Sequence, residues 1–119
     1  MNGTQEFRDL FVVEAQENIQ ALSDGALRLE KSSEDINAVH DLFRAAHTMK
    51  GMAATMGYDG LTKLCHAMED TLDSVRSGQQ PVTSVLVDGL LAAADACLAR
   101  SWFVVFVANR CWNRQGFCG

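Results

Sequence analysis

His47, Lys50 and Gly51 follow one another closely, with Ala54 a turn beyond. At 100° per residue these four side chains share one strip of a helix with Phe43 ahead of them, because residues three and four apart are neighbours on a helix surface. An imidazole there offers a nucleophile, and an ammonium one turn on offsets negative charge on whatever is attacked. Two small residues leave a large object room to approach. Glycine inside a helix costs roughly 1 kcal/mol relative to alanine, so Gly51 calls for a reason. Downstream, His66-Ala67-Met68-Glu69 places a second imidazole and a carboxylate at i, i+3, pointing the same way from another helix.

The chemistry these residues suit is attack on phosphorus. Only a neutral imidazole has the required lone pair, and histidine's ordinary pKa of about 6.5 leaves it mostly neutral at cellular pH. A carboxylate accepting the Nδ1 proton fixes the tautomer and turns Nε2 outward as the nucleophile. Glu69 is the candidate for that role. Lys50 would offset charge on the phosphoryl group as it arrives and leaves.

The elements that must position these groups are helices. Thr4 is expected to cap a first helix over residues 5–31, whose seam is Phe7, Leu10, Phe11, Ala15, Ile19, Leu22, Ala26 and Leu29. Ser32-Ser33-Glu34-Asp35 reads as a break and a new start, with a serine cap and acids in the first turn, where the helix dipole favours them. The second helix buries Ile36, Val39, Phe43, Ala46 and Ala53 and ends near Met56, with Gly57 as its left-handed stop. Asp59 caps a third helix over 60–77, with the core stripe Leu61, Leu64, Cys65, Met68, Leu72 and Val75. Gly78-Gln79-Gln80-Pro81 breaks the chain again. Thr83 then caps a fourth helix with the seam Leu86, Leu90, Leu91, Ala94, Cys97 and Leu98. The fold expected is all-α, an antiparallel up-down four-helix bundle over residues 1–100. Helices two and three are consecutive and hence antiparallel neighbours, which would let His66 and Glu69 face His47 and Lys50.

Residues 101–119 differ in kind. They hold both tryptophans, three of the six phenylalanines and two of the four cysteines. The apolar run 102–108 is too short to span a membrane, which takes about 20 residues. This tail is read as an extension of helix four buried against the bundle or a second copy, which would make a dimer, or as an out-of-frame terminus.

Length and charge narrow the function. At 119 residues there is room for one core. Residues 1–100 carry 15 acidic against 8 basic side chains, a balance of −7, and such a surface argues against nucleic acid and anionic membrane as partners. No basic-then-apolar leader opens the sequence, so a cytoplasmic location is expected. The cysteines (Cys65, Cys97, Cys111, Cys118) have no metal-type spacing, and Cys65 and Cys97 read as small core residues.

Three stretches together, FVVEAQENIQALSDGALRLEK, LFRAAHTMKGMAATMGYDGL and LCHAMEDTLDSVRSG, resemble the histidine-containing phosphotransfer (HPt) domain that begins the CheA-type chemotaxis histidine kinases. The likeness covers residues 5–100 and is strongest over 40–76. It implies that His47 accepts a phosphoryl group from the kinase's ATP-binding domain and hands it to an aspartate on a CheY-type response regulator. Lys50, His66 and Glu69 then fall on the supporting network, and Gly51 with Ala54 on the partner-facing surface. The chain itself is expected to need no cofactor or metal: ATP would sit on the kinase domain, and Mg²⁺ on the regulator, since no acidic cage adjoins His47. The tail does not resemble the polar fifth helix with which such domains continue.

Plainer readings compete. A solitary helical histidine is far more often a core residue than a nucleophile; the company of Lys50, Gly51, His66 and Glu69 reverses that. His40 reads as surface or packing, and Met49, Met52, Met56 and Met68 as core filler and a soft contact rim. Three alternatives stay open: a stand-alone phosphorelay HPt protein, a helical adaptor without chemistry, and a metal-binding bundle using His40, His47, His66 and Glu69. The last fits poorly, because di-metal bundles want Glu-x-x-His on two helices and this chain offers one reversed His-x-x-Glu.

Overall fold

The computed structural model describes the backbone of residues 3–114 and the side chains of residues 9–99. Four helices follow one another: α1 (Gly3–Lys31), α2 (Ile36–Met56), α3 (Asp59–Arg76) and α4 (Ser84–Arg114). Each packs on the next, and α1 also packs on α4, which closes the ring. This is the up-down bundle the periodicity predicts. Contact is broadest between α2 and α3 and thinnest between α3 and α4.

The breaks are local chemistry. Asp35, not a serine, caps α2: its carboxylate accepts from the Ala38 amide at 3.0 Å. No acid lies in the first turn of α2. Arg28, near the end of α1, lies 3.4 Å from Asp35 and 2.7 Å from Asp41, pinning the α1–α2 corner. The Ala38 amide, with help from Arg28, holds the Asp35 carboxyl below its usual range against a smaller opposing effect of burial. At the far end of α2, Gly57 is left-handed (φ 76°). Its amide bonds Ala54 O while the Tyr58 amide reaches back to Ala53 O, the two crossed bonds of a Schellman stop. Gly78 ends α3 the same way, at φ 82°. Thr83 caps α4 as expected, its Oγ accepting from the Leu86 amide.

Two other caps differ from expectation. The first helix already begins at Gly3, so Thr4 lies inside it. Asp59 is the first residue of α3, and Tyr58 occupies its N-cap without a side-chain bond. The Tyr58 ring instead meets Phe11 edge-on, centroids 5.3 Å apart.

The core runs through Leu22, Leu29, Leu42, Met49, Cys65, Leu72 and Cys97, each essentially sealed from solvent. Cys65 and Cys97 are thus core residues, as read, both fully buried on α3 and α4. On α2, Val39, Ala46 and Ala53 are buried as predicted, while the rest of the seam differs. Leu42 and Met49 are buried, Phe43 only half so, and Ile36 is 50% exposed at the first position of the helix. Leu10 turns out to solvent at 53% because its neighbour Phe11 takes the inward seat. On α4, Val87 joins the core and Leu98 does not. The backbone of α4 continues helical to Arg114. Phe7 and the packing of the tail lie outside the residues whose side chains are described. Among the described residues no helix is long and apolar enough to cross a membrane.

Candidate functional site

Helices α2 and α3 meet along two matched stripes. On α2 the residues are Phe43, His47 and Lys50; on α3 they are Glu69, Asp73 and Arg76. Each set follows i, i+4, i+7, the spacing that keeps side chains on one face. Because the helices are antiparallel, Glu69 meets His47 and Lys50 while Arg76 meets Phe43.

The centre of the site is one oxygen. Glu69 Oε2 lies 3.2 Å from His47 Nδ1 and 2.8 Å from Lys50 Nζ. The carboxylate is largely covered, with 14% of its side chain exposed, whereas the imidazole is 63% exposed. Both nitrogens thus converge on the same covered oxygen. Partial burial pushes the Glu69 carboxyl up, but Lys50 and then His47 outweigh it and hold the group below the usual carboxylate range. Glu69 therefore stays ionised at neutral pH and can receive the Nδ1 proton. With Nδ1 turned inward, Nε2 sits on the solvent side of the ring, and among the described residues it has no protein partner.

His66 is placed differently from the expectation. It is 60% exposed, and its Nε2 turns along its own helix to Asp70 at 3.6 Å rather than across to His47 or Lys50. The spacing to Glu69 put it on the right side of α3, but a neighbouring acid at i+4 gives its ring another partner. His40 is exposed on the surface, as read. No three His, Cys, Asp or Glu groups gather to hold a metal ion among the described residues.

Beside His47 the surface is open. A Cβ built on Gly51 would meet nothing within 4 Å, and Ala54 is exposed on the same strip. Between this strip and α1 runs a groove of about 420 Å³, with Leu10, Phe11 and Glu14 on one wall and His47, Met52 and Met56 on the other. The contribution of α1 was missed in the sequence because Leu10 was assigned to the core. In the adjacent pair Leu10-Phe11 either residue fits the apolar pattern, and the packing seats Phe11 inward.

Phe43, which the helical spacing places on the same strip as His47, stays beside it in the structure. The Phe43 ring lies nearly parallel to the imidazole, at 6° with centroids 6.2 Å apart. Arg76 covers Phe43, its Cζ 4.0 Å from the ring centre.

The arrangement is a helical bundle that turns one imidazole toward solvent above a largely covered carboxylate. The chain belongs to the Hpt domain family, whose model matches residues 6–100. It is 47% identical over 90 residues to the chemotaxis protein CheA of Bacillus subtilis, covering 76% of this chain and 13% of that one. To CheA of Listeria monocytogenes it is 49% identical over 85 residues, covering 71% and 14%. The chain thus matches a small fraction of the length of these relatives. Among solved structures, the CheA phosphotransferase domain from Thermotoga maritima superposes with a TM-score of 0.82 at 39% identity, covering 87% of this chain and 99% of that one. A solution structure of the histidine phosphotransfer domain of CheA gives 0.80 at 40% identity, covering 85% and 76%.

Proposed function

We propose that His47 is the phosphoacceptor of this domain, and that the chain serves chemotaxis-type two-component signalling in the cytoplasm. The observation that carries the reading is the single buried oxygen of Glu69 lying beneath both His47 Nδ1 and Lys50 Nζ. That contact draws Nδ1 inward and leaves Nε2 toward solvent.

In the first half-reaction Nε2 attacks the γ-phosphorus of ATP held by a separate CheA-type kinase domain. The N–P bond forms, the bond from phosphorus to the ADP oxygen breaks, and ADP leaves. The ring gains positive charge as its lone pair is used. The Nδ1 proton stays directed at Glu69, whose ionised carboxylate stabilises that charge. Lys50, whose side chain is 28% exposed, can turn its ammonium toward the phosphoryl oxygens. In the second half-reaction a carboxylate oxygen of the CheY-type regulator's aspartate attacks the same phosphorus. The N–P bond breaks, its electron pair returns to Nε2, and an acyl phosphate forms. Mg²⁺ for this step would come with the regulator. Both partners need access to Nε2, and the clear surface at Gly51 and Ala54 with the apolar groove beside it offers the approach.

The test is a pulse and chase. Purified domain is labelled with a CheA-type kinase core and labelled ATP, then mixed with a CheY-type regulator. Label should appear on the domain in acid-labile form and move to the regulator. A domain that takes up no label, or keeps it in the regulator's presence, would contradict the proposal.

A further inference from the structure

The Glu69 contact fixes His47 at one atom only. That single contact of 3.2 Å restrains one distance while the side chain turns about two bonds, and at 63% exposure no surrounding core removes the remaining freedom. Something else must set the plane of the imidazole if Nε2 is to meet phosphorus repeatedly at one angle. The structure offers Phe43. It lies one turn earlier on α2, nearly parallel to the imidazole at 6°, with centroids 6.2 Å apart, within the range of offset-stacked aromatic pairs. Phe43 is itself held. The Arg76 guanidinium sits on its face at 4.0 Å, well inside cation–π distance. Asp73 in turn pins Arg76 at 2.6 Å. Helix α3 therefore reaches the imidazole twice: directly through Glu69, and through Arg76 and Phe43 from the other end of the stripe.

We propose that Phe43, clamped by Arg76, is a positioning residue for His47, setting the plane of the imidazole that Glu69 alone leaves free to turn. The proposal rests on the reading of His47 as phosphoacceptor, yet it has a readout independent of it. Phe43 and Arg76 touch no reacting atom. They act by keeping His47 in one rotamer, and leaving a rotamer well costs enough to slow a reaction that demands alignment.

The experiment compares Phe43→Leu, Phe43→Tyr, Arg76→Gln and Arg76→Lys in the full chain. The first readout is the NMR spectrum of the His47 ring in the unphosphorylated protein: its side-chain couplings and the shift that the neighbouring ring imposes. Phe43→Leu should show rotamer averaging at His47, with less averaging in Arg76→Gln. Phe43→Tyr and Arg76→Lys should keep the wild-type pattern. The second readout is phosphorylation by an ATP-dependent histidine kinase core that labels the wild type. Phe43→Leu should lower kcat roughly three- to tenfold, the cost of one lost rotamer preference, with KM nearly unchanged and the Tyr and Lys variants restored. Unaveraged couplings in Phe43→Leu, wild-type kcat in that variant, or failure of the Tyr and Lys variants to restore it would overturn the proposal. Should the wild type itself accept no phosphate, the phosphoacceptor reading fails, and the NMR readout still decides whether Phe43 orients the ring.

Discussion

Two helical glycines divide this bundle into a closed end and an open one. At Gly25 of α1, an added Cβ would stand 2.7 Å from Leu42 Cγ and 2.9 Å from Cδ2; at Gly51 of α2 it would touch nothing within 4 Å. The first absence of a side chain lets α1 and α2 approach until Leu42 fills the space. The second is left unfilled, beside an exposed imidazole. A missing methyl therefore means packing in one place and access in the other, and only the surroundings distinguish them. The closed end also fixes the open one. Because Leu42 takes the seat against Gly25, its neighbour Phe43 is turned to the rim, and His47, one turn on, comes with it.

If the open end is chemical and the closed end structural, substitutions should divide the same way. The largest effects belong to the charges under His47. Glu69→Gln and Lys50→Ala should each slow phosphorylation of the domain by about 10- to 100-fold, the usual cost of losing an orienting partner, while circular dichroism shows an intact bundle. Unchanged rates in both would make the site's network ornamental. Next comes bulk at the open glycine: Gly51→Trp should reduce phosphoryl transfer to the regulator roughly tenfold or more by blocking close approach, with an unaltered melting profile. Normal transfer in that variant would remove this face from the docking surface.

The same small substitution should then have opposite signs at the two glycines. Gly25→Ala drives a methyl into Leu42, and overpacking costs typically 1–3 kcal/mol against about 1 kcal/mol regained in helix propensity. Denaturant unfolding should show a net loss of up to about 2 kcal/mol. Gly51→Ala meets no obstacle and should gain up to about 1 kcal/mol. Equal signs would dissolve the distinction between the two ends.

The smallest effect is in acid. Glu69 is held below its ordinary range in the folded state, so its contribution is present above the unfolded value near 4.3 and fades as pH falls through the depressed folded value. Stability measured from pH 5 downward should therefore decline less steeply in Glu69→Gln than in the wild type. An identical acid limb would mean that the ion pair with Lys50 and His47 does not contribute to folding.

Much of this was legible in the sequence. Gly57, Gly78 and Thr83 announced their turns because a left-handed stop or a hydroxyl cap has few substitutes. The pairing of His47 and Lys50 with Glu69 followed from helix spacing and antiparallel order, and the structure brings them together. Rotation about the helix axis was harder to read. In the doublets Leu10-Phe11 and Leu42-Phe43 either residue satisfies a hydrophobic pattern, and the choice is made by a partner helix that the local sequence does not contain. Hence the pattern points Leu10 inward although it borders the groove, and favours Phe43 over Leu42 although Leu42 is fully buried. His66 was drawn toward the site by its spacing to Glu69, yet Asp70 four residues on was equally within its reach. Arg76 over Phe43 joins residues 33 positions apart and had no local signal at all.

The most direct test of the central claim is mapping the phosphate itself. After incubation with a CheA-type kinase core and ATP, the domain and its His47→Gln variant are digested and analysed by mass spectrometry under conditions that preserve acid-labile phosphate. One modified peptide should carry the group on His47, and none should come from the variant, whose fold is unchanged. Phosphate on His40 or His66, or undiminished labelling of His47→Gln, would contradict it.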